Sequence, residues 1–208
     1  YNMVAPKIAE ELNCPMENIV MSGTHAHSAR FTASPVDAAL DAVRKAKAKL
    51  QSAKVGYSTG KAYLNVNRDV IDQKTRLWTQ AANLEGPSDK TLAIVLFTDL
   101  QGMPIAGYMN YAMHPINGYA TGLTSADFPG AACCHVEQAF ADKMVMLFTQ
   151  GASGDQNPLW LRPSTNVYAS KSGVEITGYE MNRENLEAPI RELSLIHISE
   201  PTRPIIRS

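Results

Sequence analysis

The stretch TLAIVLFTDLQGMPIAGYMNYAMHP, residues 91–115, decides the fold class. Residues 92–97 are an unbroken apolar run rich in β-branched side chains, the composition of a central strand covered on both faces. Asp99-Leu100-Gln101-Gly102-Met103 then turns the chain into a second apolar run at 104–109. A connection that short cannot hold a crossover helix, so the two strands are expected to be antiparallel neighbours. Asn110-Tyr111-Ala112-Met113-His114-Pro115 emerges where the second strand ends, which is where open α/β sheets place their chemistry.

Working outward, Asp127-Phe128-Pro129-Gly130 introduces a helix to about Phe140, with Cys133, Val136 and Phe140 at core spacing, and residues 144–148 read as the next strand. Toward the N-terminus, Val4, Ile8 and Leu12 mark one side of a short helix that ends before Pro15, and residues 18–21 read as a buried strand. Ser34-Pro35-Val36-Asp37 offers an N-cap, a first-turn proline and an acidic residue placed for a capping box. Val36, Leu40, Val43 and Leu50 give the buried stripe of the helix that follows, with Asp41 and Lys45 paired on its wet side. Residues 54–59, 62–66 and 76–81 read as further strands, and residues 163–178 as a loop. The sum is an α/β domain, a mixed β-sheet with flanking helices, expected to be truncated at both ends.

Composition excludes several classes of function. The chain has 208 residues, enough for one domain with a sizeable core, and a formal net charge of −1. Basic residues form no cluster suited to nucleic acid; Ala46-Lys47-Ala48-Lys49 is the solvated face of a helix. No apolar run reaches the ~20 residues of a membrane span. Three cysteines, two of them adjacent, do not make a disulfide framework.

Two further segments share the placement of the one ending in His114. Thr24-His25-Ala26-His27-Ser28 follows the expected strand at 18–21, and Gly154-Asp155-Gln156-Asn157-Pro158 follows the one at 144–148. In extended backbone alternate side chains share a face, so His25 and His27 point the same way across a small Ala26. Two converging imidazoles suggest a metal, with His114 the natural third nitrogen; lone histidines, by contrast, are mostly structural or solvated. Cys133-Cys134-His135 is not a second site, because consecutive helical residues point about 100° apart. Cys133 is expected in the core and His135 in solvent, with Asp127 capping its helix and Asp155 bonding backbone amides of its loop.

The order of these segments resembles the catalytic domain of the neutral ceramidases, zinc amidases that cleave the N-acyl bond of ceramide. Thr24-His25-Ala26-His27-Ser28, Asn67-Arg68-Asp69, His114-Pro115 and Gly154-Asp155-Gln156-Asn157-Pro158 match four family segments in order over roughly two-thirds of the chain. The resemblance implies His25 and His114 as zinc ligands, with one position left for water. It implies His27 as a group that polarises the substrate, and Arg68 as a contact to its reacting region that can stabilise oxyanion charge, the alternative for Arg68 being a surface salt bridge. The family's remaining ligands, a glutamate and a tyrosine, would fall beyond Glu192.

Asn157 departs from the pattern, since it stands where the family carries a catalytic serine, and an amide cannot be deprotonated to attack a carbonyl. The attacking group would then be a water activated by the metal, with Asn157 orienting the substrate. Residues 28–30, Ser28-Ala29-Arg30, also lack the family's Gly-Pro. The implied function is a zinc-dependent amide hydrolase acting on ceramide or a related small N-acyl lipid, reached from a membrane surface. The alternative is a non-catalytic binding domain of the same fold. A barrel-type metal hydrolase would require regular βα alternation, which the hairpin at 91–109 breaks. Residues 1–192 are expected to be part of the catalytic domain, lacking an N-terminal stretch. Leu193-Ser194-Leu195-Ile196-His197-Ile198-Ser199-Glu200-Pro201-Thr202-Arg203 resembles a translated sequencing adapter, so residues 193–208 are expected to be a non-native tail and His197 no ligand. A secreted or periplasmic location is suggested by the resemblance alone.

Overall fold

The computed structural model describes residues 1–28, 34–118 and 124–159. Two helices open the chain, α1 (Ala5–Leu12) and α2 (Pro35–Lys47), with a turn of 3-10 helix at Met16–Asn18 between them. Strands β1 (Lys54–Lys61), β2 (Asn65–Ile71), β3 (Trp78–Asn83), β4 (Thr91–Thr98) and β5 (Pro104–Tyr111) follow, then α3 (Asp127–Ala139), β6 (Val145–Gln150) and β7 (Gln156–Pro158). They form a four-stranded sheet in the order β1-β4-β5-β6 and a three-stranded sheet in the order β3-β2-β7. The hairpin at 91–111 is antiparallel as expected, with Val95 opposite Tyr108, while β6 returns parallel to β5 after the α3 crossover. The mixed α/β architecture follows from that one parallel pair beside antiparallel ones.

Alternation sends Leu92, Ile94, Leu96, Met109, Tyr111, Met146 and Phe148 to one face of the larger sheet. They pack with Phe128, Ala132, Cys133 and Val136 of α3, and the Phe128 and Phe148 rings meet edge-on at 5.2 Å. Each large apolar side chain buried there contributes about 1.5–3 kcal/mol. Gly107 lets the sheet close at its centre: a Cβ would stand 2.9 Å from Val95 O and 3.2 Å from Met146 sulfur. Gly102, at φ +92°, makes the hairpin turn that a side chain would strain. A second, smaller core joins Val4, which precedes α1, and Ile8 of α1 to Val36 of α2, and Arg44 pairs with Glu11 at 2.7 Å across the same seam.

Several elements differ from expectation. Residues 18–21 form no strand: Asn18 closes the 3-10 turn, Val20 is 91% exposed, and no strand lies alongside among the described residues. So short an apolar run cannot hold a strand without a partner. Strand β2 begins at Asn65 rather than 62, because the Tyr111 hydroxyl takes over the backbone of the entry. It donates to Ala62 O at 2.7 Å and accepts from Leu64 N and Asn65 N at 3.1 and 3.3 Å. β3 begins two residues late because Asp72 builds a turn, accepting from Lys74 N and Thr75 N at 2.9 and 2.7 Å. Ser34 makes no side-chain cap, so Pro35 alone fixes the entry to α2. That helix ends at Lys47, leaving Leu50 exposed, and Phe140 is exposed because it is already the unwinding cap of α3. The Lys45–Asp41 pair forms at 2.6 Å. The loop at 163–178, the tail at 193–208, Ala29 and Arg30 lie outside the described residues.

Candidate metal centre

Backbone hydrogen bonds lace the chemistry-bearing segments together. His27 N donates to Pro115 O at 3.3 Å, His114 N to Gln156 O at 2.8 Å, and Arg68 N to Asp155 O at 2.8 Å. Each segment leaves its strand or turn and is captured by the next, so four stretches far apart in sequence share one floor. Gly151 permits part of this approach, since a Cβ there would stand 2.9 Å from Ala112 N. His25 adopts φ +60°, a left-handed conformation that histidine tolerates better than branched residues and that recurs at functional sites.

The three expected histidines converge. One ring nitrogen from each of His25, His27 and His114 lies within 4.8 Å of the others. His25 Nε2 and His27 Nε2 are 3.1 Å apart, close to the roughly 3.3 Å separating two nitrogens around a tetrahedral ion with bonds of about 2.0–2.1 Å. The His25 ring centroid is 4.9 Å from that of His114. His114 is buried, whereas His25 and His27 are exposed, so the cluster is anchored on one side and open on the other. An open cavity of about 540 Å³ beside it is lined by Gly23, His25, Arg68, His114, Gln150, Ser153 and Gly154.

Protonation suits a cation. His114 Nδ1 stands 3.3 Å from Gln156 O; a carbonyl only accepts, so Nδ1 carries the proton and Nε2 keeps its lone pair. This is the carbonyl-to-histidine bond that orients ligand imidazoles in metal sites. Burial, then the Arg68 charge, holds His114 below the usual histidine pKa. Burial, then His25, lowers His27, against an opposing pull from Asp127. Both rings are therefore neutral, as metal binding requires. The imidazole nitrogens of His25 and His114 suit zinc, and His27 lies within reach of the same point.

Arg68 lines the cavity, and its Nη1 donates to Asn157 Oδ1 at 3.4 Å. Asn157 is itself buried, in register with Val66 across the β2–β7 pair. Asp155 does not bond backbone amides as expected: its carboxylate accepts from Asn67 Nδ2 and Gln156 Nε2, both at 2.8 Å, tying the smaller sheet to the loop. Asp127 does not cap α3 as expected: it is the helix's first residue, the cap is Ala126 with no side-chain capping bond, and its carboxylate accepts from Phe128 N at 2.8 Å and Gly118 N at 2.6 Å. Cys133 packs in the core as expected, and burial, then Glu137, pushes its thiol up to about 11. His135, expected in solvent, is half-buried, with its Nε2 enclosed. Gln150 was missed from sequence, although extending the β6 alternation Met146, Phe148 by two residues points to it.

No protein-family model and no curated protein sequence matches the chain. Among solved structures, neutral ceramidase from Pseudomonas aeruginosa superposes over 79% of this chain and 24% of its own, with a TM-score of 0.54 and 19% identity. A ceramidase complexed with C2 superposes over 94% of this chain and 32% of its own, with a TM-score of 0.62 and 18% identity. The chain thus spans about a quarter to a third of the length of these structures and shares their fold over that stretch.

Proposed function

Starting from this shared fold, we propose that the chain is part of a zinc-dependent amide hydrolase acting on an N-acyl lipid of the ceramide type, with residues 1–192 belonging to its catalytic domain. The observation that carries the proposal is the convergence of His25, His27 and His114 beside a cavity that also holds Arg68. His25 and His114 would hold the ion. When bound, zinc supplies Lewis-acid polarisation of an acyl carbonyl and acidification of a water molecule. His27, exposed and 3.1 Å from His25, faces the substrate and donates to its carbonyl region. Arg68 stabilises negative charge developing on the acyl oxygen, worth most in a site that excludes water. Asn157 holds the Arg68 guanidinium through its Oδ1 and in that way orients the substrate. No helix among the described residues is long and apolar enough to cross a membrane. The proposed substrate, a lipid, would be reached at a membrane surface.

A binding domain of the same fold is favoured by one observation, that Asn157 has no hydroxyl or thiol to offer as nucleophile. Turnover separates the two readings. A panel of acylated amines, assayed with and without a chelator on protein carrying these residues in its complete chain, should show chelator-sensitive hydrolysis that His25→Ala abolishes. Hydrolysis surviving both treatments sinks the zinc reading, and metal-dependent binding without turnover establishes the binding domain.

A further inference from the structure

Gln156 meets His114 through its backbone. Its carbonyl accepts from His114 N at 2.8 Å and stands 3.3 Å from His114 Nδ1. The β2–β7 ladder does not use that carbonyl. Arg68 N donates to Asp155 O at 2.8 Å, so the next opposed pair, Asn67 and Gln156, falls in the non-hydrogen-bonded register. Gln156 therefore turns its N–H and its carbonyl away from β2. The N–H goes to Ser153 O at 2.9 Å, and the carbonyl goes to His114.

With the ladder not holding this carbonyl, the side chain of the same residue anchors it. Gln156 is buried and its amide is fully engaged: Oε1 accepts from Ser88 Oγ at 2.6 Å, and Nε2 donates to Pro87 O at 3.1 Å and to Asp155 Oδ1 at 2.8 Å. The flipped amide would set its oxygen against two acceptors, so only one orientation fits. Ser88 is held in turn by Lys90, whose Nζ donates to Ser88 Oγ and to Asn65 Oδ1, both at 2.9 Å. The single Ser88 hydroxyl proton is left for an amide oxygen, and that of Gln156 is nearer than that of Asn65, at 2.6 Å against 3.1 Å. We propose that Gln156 and Ser88 are positioning residues for His114: their side-chain bond pins the carbonyl that keeps the ring proton on Nδ1 and leaves the Nε2 lone pair free. The purpose of this arrangement rests on the metal reading above; its geometry does not. Outer partners of this kind orient ligand imidazoles, and their loss weakens metal binding about 10–100-fold. With the clamp removed, the proton distributes over both ring nitrogens, and Nε2 is free in only part of the molecules.

The test is the His114 tautomer in the metal-free chain at neutral pH, read from the NMR shifts of the imidazole nitrogens and assigned by their loss in His114→Gln. Native protein should carry the proton on Nδ1. Gln156→Leu and Ser88→Ala should each move a measurable share of it to Nε2. Zinc affinity, measured separately, should fall about tenfold or more in Gln156→Leu and by less in Ser88→Ala. Ser88→Thr, which keeps the hydroxyl, should match native protein in both readouts. A loss of stability with tautomer and affinity unchanged would mark a merely structural role and overturn the proposal, as would a native ring protonated on Nε2. If Gln156→Leu fails to fold, the two Ser88 variants decide alone. A tautomer that shifts as expected in a chain that takes up no zinc supports the positioning role and sinks the metal reading instead.

Discussion

His114 and the His25–His27 pair arrive at one point on two different kinds of backbone. His114 follows β5 directly, its own N–H, ring and carbonyl are all hydrogen-bonded, and Met113 and Pro115 on either side are fully buried. His25 and His27 lie on an irregular exposed stretch, reached through a left-handed residue and tied down by His27 N to Pro115 O. A left-handed histidine costs about 1 kcal/mol and persists where its surroundings over-determine it. One half of the cluster is thus set by the core. The other half docks onto it, and a bound ion would hold the two together.

The largest effect that can break this comparison is loss of the set half. His114→Ala should lower zinc affinity more than 100-fold, beyond the 10–100-fold that loss of an outer-sphere partner costs, as read by competition with a chromophoric chelator. Retained affinity would mean that the exposed pair suffices. Second, Tyr111→Phe should destabilise the fold by about 2 kcal/mol in denaturant titration, since it strips one hydroxyl from three buried backbone groups. Ala26→Gly, on the exposed stretch, should cost well under 1 kcal/mol. Equal costs would erase the contrast.

A third effect comes from pH. His27 and His114 titrate below the usual value of about 6.5 because burial opposes their charge. Below pH 6.5 the unfolded chain therefore binds protons that the folded chain does not, so the stability held at neutral pH falls as pH drops, and zinc affinity falls with it. Replacing His114 should flatten that acid limb; an unchanged limb in His114→Gln would assign it to other groups. The smallest difference concerns order: adding zinc should slow amide hydrogen exchange at residues 24–28 and leave residues 112–116 unchanged.

Much of the fold was legible because the hairpin at 91–111 carries its own signals, a β-branched run, a Gly-containing turn and a matching second run. Strand ends elsewhere depended on contacts between segments. The Tyr111 hydroxyl displaces the start of β2, and nothing within residues 62–66 announces a side chain 47 positions away. Residues 18–21 read as a strand because a short apolar run signals burial but not whether a neighbouring strand exists. At the site, His25, His27 and His114 could be named from type and placement, and the structure brings all three together. Gln150 was missed: the β6 alternation gives its face, but its place beside the histidines depends on the pairing of β6 with β5.

X-ray absorption on the zinc-loaded chain tests the central claim most directly. The account predicts one zinc per chain with imidazole nitrogens at about 2.0–2.1 Å, fewer imidazoles in His25→Ala, and loss of stoichiometric binding in His114→Ala. A chain that takes up no zinc at neutral pH, or whose zinc spectrum is unchanged by both substitutions, would contradict it.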